Sequence, residues 1–133
     1  MRVLLVEDHL QLAESVAQAL KSTGLTVDVL HDGVAADLAL SSEEYAMAVL
    51  DVGLPRMDGF EVAIQVRNDP RLHHLPIIMI TSRTGQKHRD RAMAIGVNDY
   101  LGKPYQESVL LESIALWSKN LSLIHISEPT RPY

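Results

Sequence analysis

Short, nearly continuous runs of apolar residues alternate along the chain with segments whose apolar residues recur every three or four positions. The run from Val3 to Val6 is typical of a strand that is buried on both faces of a parallel sheet. Leu10, Val16 and Leu20 follow with the spacing of one helix face. Repeated along the chain, this alternation predicts five strands, at 2–6, 26–30, 47–50, 77–80 and 97–101. A helix is predicted after each strand, the last over 106–117.

The strict alternation of strands and helices favours an α/β fold. Right-handed crossovers place helices on both faces of the sheet, which gives a doubly wound parallel sheet of five strands. The length of 133 residues suits a single domain. The pattern ends near Asn120, and the segment beyond it contains Pro129 and Pro132 and extends no predicted element. We therefore predict one domain over 1–119 and a disordered or non-native tail over 120–133.

Composition narrows the class of protein. With no cysteine, the chain has no disulfide framework, thiolate nucleophile or cysteine-ligated metal. No apolar run approaches the roughly 20 residues that span a bilayer, and the chain begins with a strand pattern rather than a signal peptide. The net charge of −5 argues against a polyanion as main partner. We expect a cytoplasmic protein that binds neither membrane nor nucleic acid, and we interpret the basic stretch 83–91 as a solvated helix face.

Charged and hydroxyl residues follow four of the five predicted strands. Glu7 and Asp8 follow the first strand, Asp51 the third, Thr81 the fourth and Lys103 the fifth. In an open parallel sheet, ligand sites form beyond the carboxyl ends of the strands, where the strand order reverses. If the order is 2-1-3-4-5, strands one and three are neighbours. Three carboxylates then converge beside a hydroxyl and an ammonium group.

Such a cluster has a definite chemistry. Three like charges repel each other, so that either a carboxyl pKa rises or a cation binds, and oxygen ligands suit Mg²⁺. Asp51 can then attack phosphorus, while Thr81 and Lys103 contact phosphoryl oxygens. Taken singly, Asp8 could be a helix N-cap and Asp51 a turn residue. The combination at separate strand ends favours phosphoryl transfer.

These residues lie in segments that resemble the receiver (CheY-like) domain of two-component response regulators, over about residues 1–119. The segments are Leu-Val-Glu-Asp at 5–8, Leu-Asp-Val-Gly-Leu-Pro-Arg-Met-Asp-Gly at 50–59, Ile-Thr-Ser at 80–82 and Tyr-Leu-Gly-Lys-Pro at 100–104. The resemblance implies a flavodoxin-like strand order of 2-1-3-4-5. It makes Asp51 the phosphoacceptor and also a Mg²⁺ ligand. The other metal ligands it implies are Glu7, Asp8 and the Gly53 carbonyl.

The resemblance further implies a phosphorelay. A sensor histidine kinase or phosphotransfer protein would phosphorylate Asp51 in a Mg²⁺-dependent reaction, and Lys103, in a cis Lys103–Pro104 bond, would pair with the phosphoryl group. Thr81 and Tyr100 would form the switch, with Tyr100 turning inward after phosphorylation. The surface of helix four, strand five and helix five would change and could carry a homodimer. The expected activity is signalling, with at most self-phosphorylation and self-dephosphorylation.

Other functions fit the residues less well. A haloacid-dehalogenase-type phosphatase needs a second Asp two positions after the nucleophile, where this chain has Gly53. A flavin or nucleotide carrier needs a Gly- or Ser/Thr-rich phosphate loop, where this chain has Glu7 and Asp8. A receiver-like interaction module that works without phosphorylation stays as the alternative. Neither Gly53 nor Arg83, which flank the site, can orient a water, so we expect slow self-dephosphorylation.

Overall fold

The computed structural model describes residues 1–83 and 85–126. In chain order its elements are β1 (Arg2–Val6), α1 (Leu10–Lys21), β2 (Thr26–Leu30), α2 (Gly33–Ser42), β3 (Met47–Asp51), α3 (Gly59–Asn68), β4 (Ile77–Thr81), α4 (Gln86–Ile95), β5 (Asp99–Gly102) and α5 (Glu107–Ile126). Among these described residues, no helix combines the length and apolar character needed to cross a membrane.

The five strands form one parallel sheet in the order β2-β1-β3-β4-β5. This confirms the α/β doubly wound architecture and the strand order expected from the resemblance. The register places Val6 opposite Leu50 and Thr81 opposite Gly102. The carboxyl ends of β1, β3, β4 and β5 therefore lie along one edge of the sheet, where the order reverses between β1 and β3.

Two apolar layers cover the sheet, because successive strand residues point to opposite faces. Leu4 and Phe60 belong to the layer under α2, α3 and α4, and Leu5 and Leu110 to the layer under α1 and α5. Every residue of β3 and β4 is buried, as the continuous apolar runs predict. Burial of each large apolar side chain contributes about 2–3 kcal/mol to folding, so the two central strands fix the position of the site at their ends.

The ends of several elements differ from the predictions. Gly96 caps α4 in the left-handed conformation, with a φ of 101°. The pattern Leu10, Val16 and Leu20 is followed by Gly24, where a left-handed cap of α1 is expected; the structure has Ser22 as the cap, and Gly24 takes a left-handed φ of 95° two residues later. β5 begins at Asp99 rather than at Val97, since Val97 donates its N–H to the carbonyl of Ala92 in the α4–β5 turn.

The last helix is longer than predicted. α5 continues to Ile126, beyond the predicted end near Trp117. The segment between these two residues contains neither proline nor glycine, so nothing in its backbone chemistry stops the helix. Residues 127–133 lie outside the described residues. The domain boundary at 119 and the disordered or non-native nature of 120–133 stay predictions.

Arg56, in the loop between β3 and α3, has a φ of 71°. This left-handed conformation brings a Cβ too close to the backbone, at a cost of about 1 kcal/mol. We expect Arg56→Gly to raise the free energy of unfolding in urea by about 0.5–1 kcal/mol. Arg56→Ala is the matched control, because it removes the charge but keeps the Cβ. An equal gain in both variants would show that the charge, and not the backbone, is responsible.

Candidate functional site

Three carboxylates converge at the carboxyl ends of β1 and β3. One oxygen each of Glu7, Asp8 and Asp51 lies within 4.8 Å of the others. Glu7 is 1% exposed and Asp51 is 4% exposed, whereas Asp8 faces solvent. The convergence predicted from the strand ends is thus present, with two buried carboxylates and one at the mouth of the site.

Backbone contacts hold Glu7 in place from both sides. Its Oε2 accepts a hydrogen bond of 3.1 Å from the N–H of His9, and its own N–H donates to the carbonyl of Leu30. Its Oε1 lies 2.7 Å from the Nζ of Lys103. Within the described part of the chain, however, no hydrogen bond of ordinary geometry reaches Oε1. Glu7 therefore presents a fixed, buried oxygen whose bonding capacity is incompletely used.

Asp51 is fixed at the end of β3 by its own loop and by a cation. Its Oδ1 accepts a hydrogen bond of 3.2 Å from the N–H of Gly53, and its Oδ2 lies 3.3 Å from the Nζ of Lys103. Burial, followed by the negative charge of Glu7, raises the pKa of Asp51 to about 6, although Lys103 acts in the opposite direction. The protein thus disfavours the ionised form of this carboxylate in the absence of a further cation.

Lys103 is the cation that the fold itself supplies. It follows β5, and its N–H donates to the carbonyl of Thr81 at 2.7 Å. The Lys103–Pro104 bond is cis, as the resemblance implied. Burial opposes the charge of the ammonium group, but the close contact with Glu7 and the charge of Asp51 outweigh it and raise the pKa of Lys103. One ammonium group cannot neutralise three carboxylates, so the cluster keeps an excess of negative charge.

The donor set fits a hard divalent cation. All three side chains offer carboxylate oxygens, the ligand type that Mg²⁺ prefers. Three carboxylates converge beside a single ammonium group, and burial beside the charge of Glu7 raises the pKa of Asp51, so the cluster lacks positive charge. The Gly53 carbonyl stays a predicted fourth ligand.

The two residues expected to form the switch lie on β4 and β5. Thr81 is buried, and its Oγ1 accepts a hydrogen bond of 2.8 Å from the N–H of Arg83. Tyr100 is 3% exposed, and its hydroxyl donates to the carbonyl of Arg83. Burial raises the pKa of Tyr100. The ring that was expected to turn inward after phosphorylation is therefore already buried in this structure.

The loop after Asp51 is positioned by close backbone packing. A Cβ on Gly59 would lie 2.3 Å from the carbonyl oxygen of Asp51 and 2.9 Å from the Cα of Val52. Asp58 caps α3 in a capping box with Glu61. The start of α3 is thus pressed directly against the end of β3, which fixes the backbone of the site.

Several contacts were missed by the sequence analysis. The N-cap of α1 is His9, whose side chain accepts from the N–H of Leu12, so Asp8 does not serve as that cap. The interpretation of 83–91 as a solvated face is also incomplete. The Arg89 guanidinium lies 5.2 Å from the centroid of the Tyr100 ring, and that of Arg91 lies 4.4 Å from the centroid of Phe60. Nothing in the linear pattern indicates these stacks.

The fold and the acid cluster agree with comparison to known families. The profile of the response regulator receiver domain matches residues 3–115. The chain therefore belongs to the receiver domains of two-component response regulators. These are signalling domains rather than enzymes of the usual kind, in agreement with the expectation from the sequence.

Curated relatives are longer proteins. The transcriptional regulatory protein TctD of Salmonella typhimurium is 43% identical over 106 residues, which cover 80% of this chain and 46% of TctD. The response regulator protein PmrA of Pseudomonas aeruginosa is 38% identical over 105 residues, or 79% of this chain and 47% of PmrA. The chain thus spans about half the length of the curated relatives it matches.

Solved structures share the same architecture. The chemotaxis response regulator CheY4 of Vibrio cholerae superposes with a TM-score of 0.82 at 28% identity, covering 87% of this chain and 97% of CheY4. The receiver domain of the sensor histidine kinase PA1611 from Pseudomonas aeruginosa gives a TM-score of 0.77 at 31% identity, covering 87% and 95%. That structure is described with a magnesium ion coordinated in its active-site cleft.

Proposed function

We propose that this receiver domain accepts a phosphoryl group on Asp51 from the phosphohistidine of a sensor histidine kinase or phosphotransfer protein in the cytoplasm. The proposal rests on one observation: Glu7, Asp8 and Asp51 converge within 4.8 Å. Glu7, Asp8, Asp51 and the Gly53 carbonyl would hold Mg²⁺. When bound, the ion supplies the positive charge that the cluster lacks and attracts phosphoryl oxygens.

Asp51, Lys103 and Glu7 would each have a separate role in the transfer. An Asp51 oxygen attacks phosphorus, the phosphorus–nitrogen bond of the donor breaks, and the imidazole leaves with its electron pair and takes a proton. Because the pKa of Asp51 is about 6, the nucleophile is mostly ionised at neutral pH. The ammonium of Lys103, 3.3 Å from Oδ2 of Asp51, is placed to pair with a phosphoryl oxygen. Glu7 keeps that ammonium in position through the contact of 2.7 Å.

The phosphoryl group would act on a two-state element. It brings nearly two negative charges to the end of β3, where the Thr81 hydroxyl can bond one of its oxygens. Thr81 accepts a hydrogen bond from the N–H of Arg83, and the Arg83 carbonyl accepts one from Tyr100. A change at Thr81 is therefore transmitted to the surface of α4, β5 and α5, which a partner or a second copy would recognise.

The direct test is incubation with acetyl phosphate and Mg²⁺, followed by intact mass measurement. We expect one phosphoryl adduct on the wild type, none on Asp51→Ala, and none with a chelator. Asp58→Asn is the matched control, because it replaces another carboxylate of the loop by an amide that can still cap α3. A folded wild type without adduct would favour the phosphorylation-independent interaction module. Turnover of phosphate esters would favour a phosphatase.

We also expect the phosphoryl group to be long-lived. Gly53 and Arg83 flank the site, and neither has a carboxylate or amide to orient an attacking water. Gly53→Asn should speed the loss of the adduct several-fold, because it adds an amide next to the site at a position where a Cβ meets no atom within 4 Å. The decay of the adduct mass after removal of the donor measures both rates. Rapid decay in the wild type would contradict the expectation.

A further inference from the structure

The ring of Tyr100 is covered by a charged side chain from α4. The Arg89 guanidinium carbon lies 5.2 Å from the ring centroid, within the range of a cation–π contact. The ring is 3% exposed, and its hydroxyl donates to the Arg83 carbonyl. Tyr100 is thus held at both ends, by a backbone acceptor at its hydroxyl and by a cation over its face.

Arg89 has no competing partner among the described residues. No carboxylate of residues 1–83 or 85–118 forms an ion pair with it, whereas Arg2 and Lys103 each contact two carboxylates. Arg89 is also half-buried, so that water screens its contact with the ring less than at an exposed position. The guanidinium therefore interacts mainly with the face of Tyr100.

The rest of α4 contributes little to this arrangement. The helix, all of whose residues the structure describes, buries Ala92 alone. Its N-cap, Gly85, makes no side-chain hydrogen bond, and its first turn has no acidic residue. Because α4 has few other stabilising contacts, its specific side-chain contacts matter more for its position. The contact of Arg89 with the Tyr100 ring is the one that involves a switch residue.

We propose that Arg89 is a positioning residue that holds Tyr100 buried before any phosphoryl group is present. The inference rests on the proposed function of Tyr100 as the switch. It goes beyond that function because it makes the buried ring the resting arrangement of this chain. Arg89 already favours the buried ring in the equilibrium between buried and exposed Tyr100. Phosphorylation then favours the buried ring further and does not have to move it in from solvent.

The test measures the exposure of Tyr100 in solution. The full chain is labelled with 3-fluorotyrosine, and the resonance of Tyr100 among the four tyrosines is assigned with Tyr100→Phe. Broadening of the fluorine signal by a soluble gadolinium chelate reports how much of the ring is exposed. We expect a protected ring in the wild type without phosphodonor. Arg89→Met should lower the ratio of buried to exposed ring by about three-fold, and Arg89→Lys by less.

Arg91→Met is the matched control, since Arg91 lies on the same helix and stacks on Phe60 instead. Unchanged protection of Tyr100 in Arg91→Met supports the proposal, whereas equal exposure in both variants would overturn it. An exposed ring in the wild type, or protection in Arg89→Met equal to that in the wild type, would also overturn it. Arg89→Lys keeps the charge and serves if Arg89→Met does not fold.

Beryllofluoride with Mg²⁺, a mimic of the phosphoryl group, separates this inference from the proposed function. Because the ratio of buried to exposed ring falls about three-fold in Arg89→Met, that variant should bind the mimic more weakly than the wild type, by up to about three-fold. Tighter binding of the mimic by Arg89→Met than by the wild type would contradict the role of Arg89. A wild type that does not bind the mimic at all would instead overturn the proposed function.

Discussion

Asp51→Asn should stabilise the metal-free protein by about 3 kcal/mol at pH 7.5, raising its Tm by about 10 °C. Burial and the charge of Glu7 raise the pKa of Asp51 from 3.8 to about 6, so the folded protein favours the neutral carboxyl group. At pH 7.5 the group is ionised and opposes folding. An amide in its place carries no charge, while Lys103 keeps its contact with Glu7.

The stabilisation should depend on pH in a defined direction. Protonated Asp51 favours the folded state below pH 3.8, and this contribution is lost as the pH rises through about 6. The difference between Asp51→Asn and the wild type should therefore be near zero at pH 4 and complete above pH 6. Thermal unfolding in the presence of a chelator, at a series of pH values, measures it.

Two comparisons make this result specific. Asp58→Asn also replaces a carboxylate of the loop by an amide, and it should not produce the stabilisation at pH 7.5 that Asp51→Asn produces. Added Mg²⁺ should raise the Tm of the wild type more than that of Asp51→Asn, because the variant has lost one ligand. A destabilised Asp51→Asn at pH 7.5 would show that Asp51 is not under electrostatic strain.

Gly59→Ala should lose about 3 kcal/mol of stability and most of its capacity for phosphorylation. The new Cβ would lie 2.3 Å from the carbonyl oxygen of Asp51 and 2.9 Å from the Cα of Val52. Both neighbours are backbone atoms, which cannot rotate away as a flexible side chain can. We therefore expect a free-energy cost at the upper end of the range for over-packed substitutions. The end of β3 must shift, and the Asp51 carboxylate shifts with it.

Gly53→Ala is the matched control for this prediction. Gly53 lies in the same loop, but a Cβ there meets no atom within 4 Å. We expect Gly53→Ala to change the free energy of unfolding by less than about 1 kcal/mol and to keep the phosphoryl adduct. Urea unfolding and intact mass after acetyl phosphate treatment compare the two variants. Equal losses in both would show that the close backbone packing at Gly59 is not the cause.

The convergence of Glu7, Asp8 and Asp51 could be predicted because it follows from one rule. Buried strands are recognisable from continuous apolar runs, and in a parallel sheet all their carboxyl ends lie at one edge. Each polar residue directly after such a run is therefore brought to that edge. The strand order itself came from the resemblance, since periodicity alone does not fix which strands are neighbours.

Contacts between separate elements could not be predicted in this way. Arg89 and Tyr100 lie on different elements, and their stack depends on how α4 rests against β5. The left-handed φ of Arg56 arises because the chain must turn between β3 and α3, and arginine carries no signal for that conformation. N-cap propensity alone would favour Asp8 over His9 as the cap of α1, but the structure has His9 in that position.

The limited burial of α4 affects which positions can vary among receiver domains of this kind. Because Ala92 is the one fully buried residue of α4, the exposed positions of the helix can be substituted with little loss of fold stability. The acid cluster, in contrast, lies at the ends of β1 and β3, in which every residue but Arg2 is buried, and it tolerates no such freedom. Related chains can therefore change the exposed residues of α4, and with them what this helix contacts, while the three carboxylates of the acid cluster stay the same.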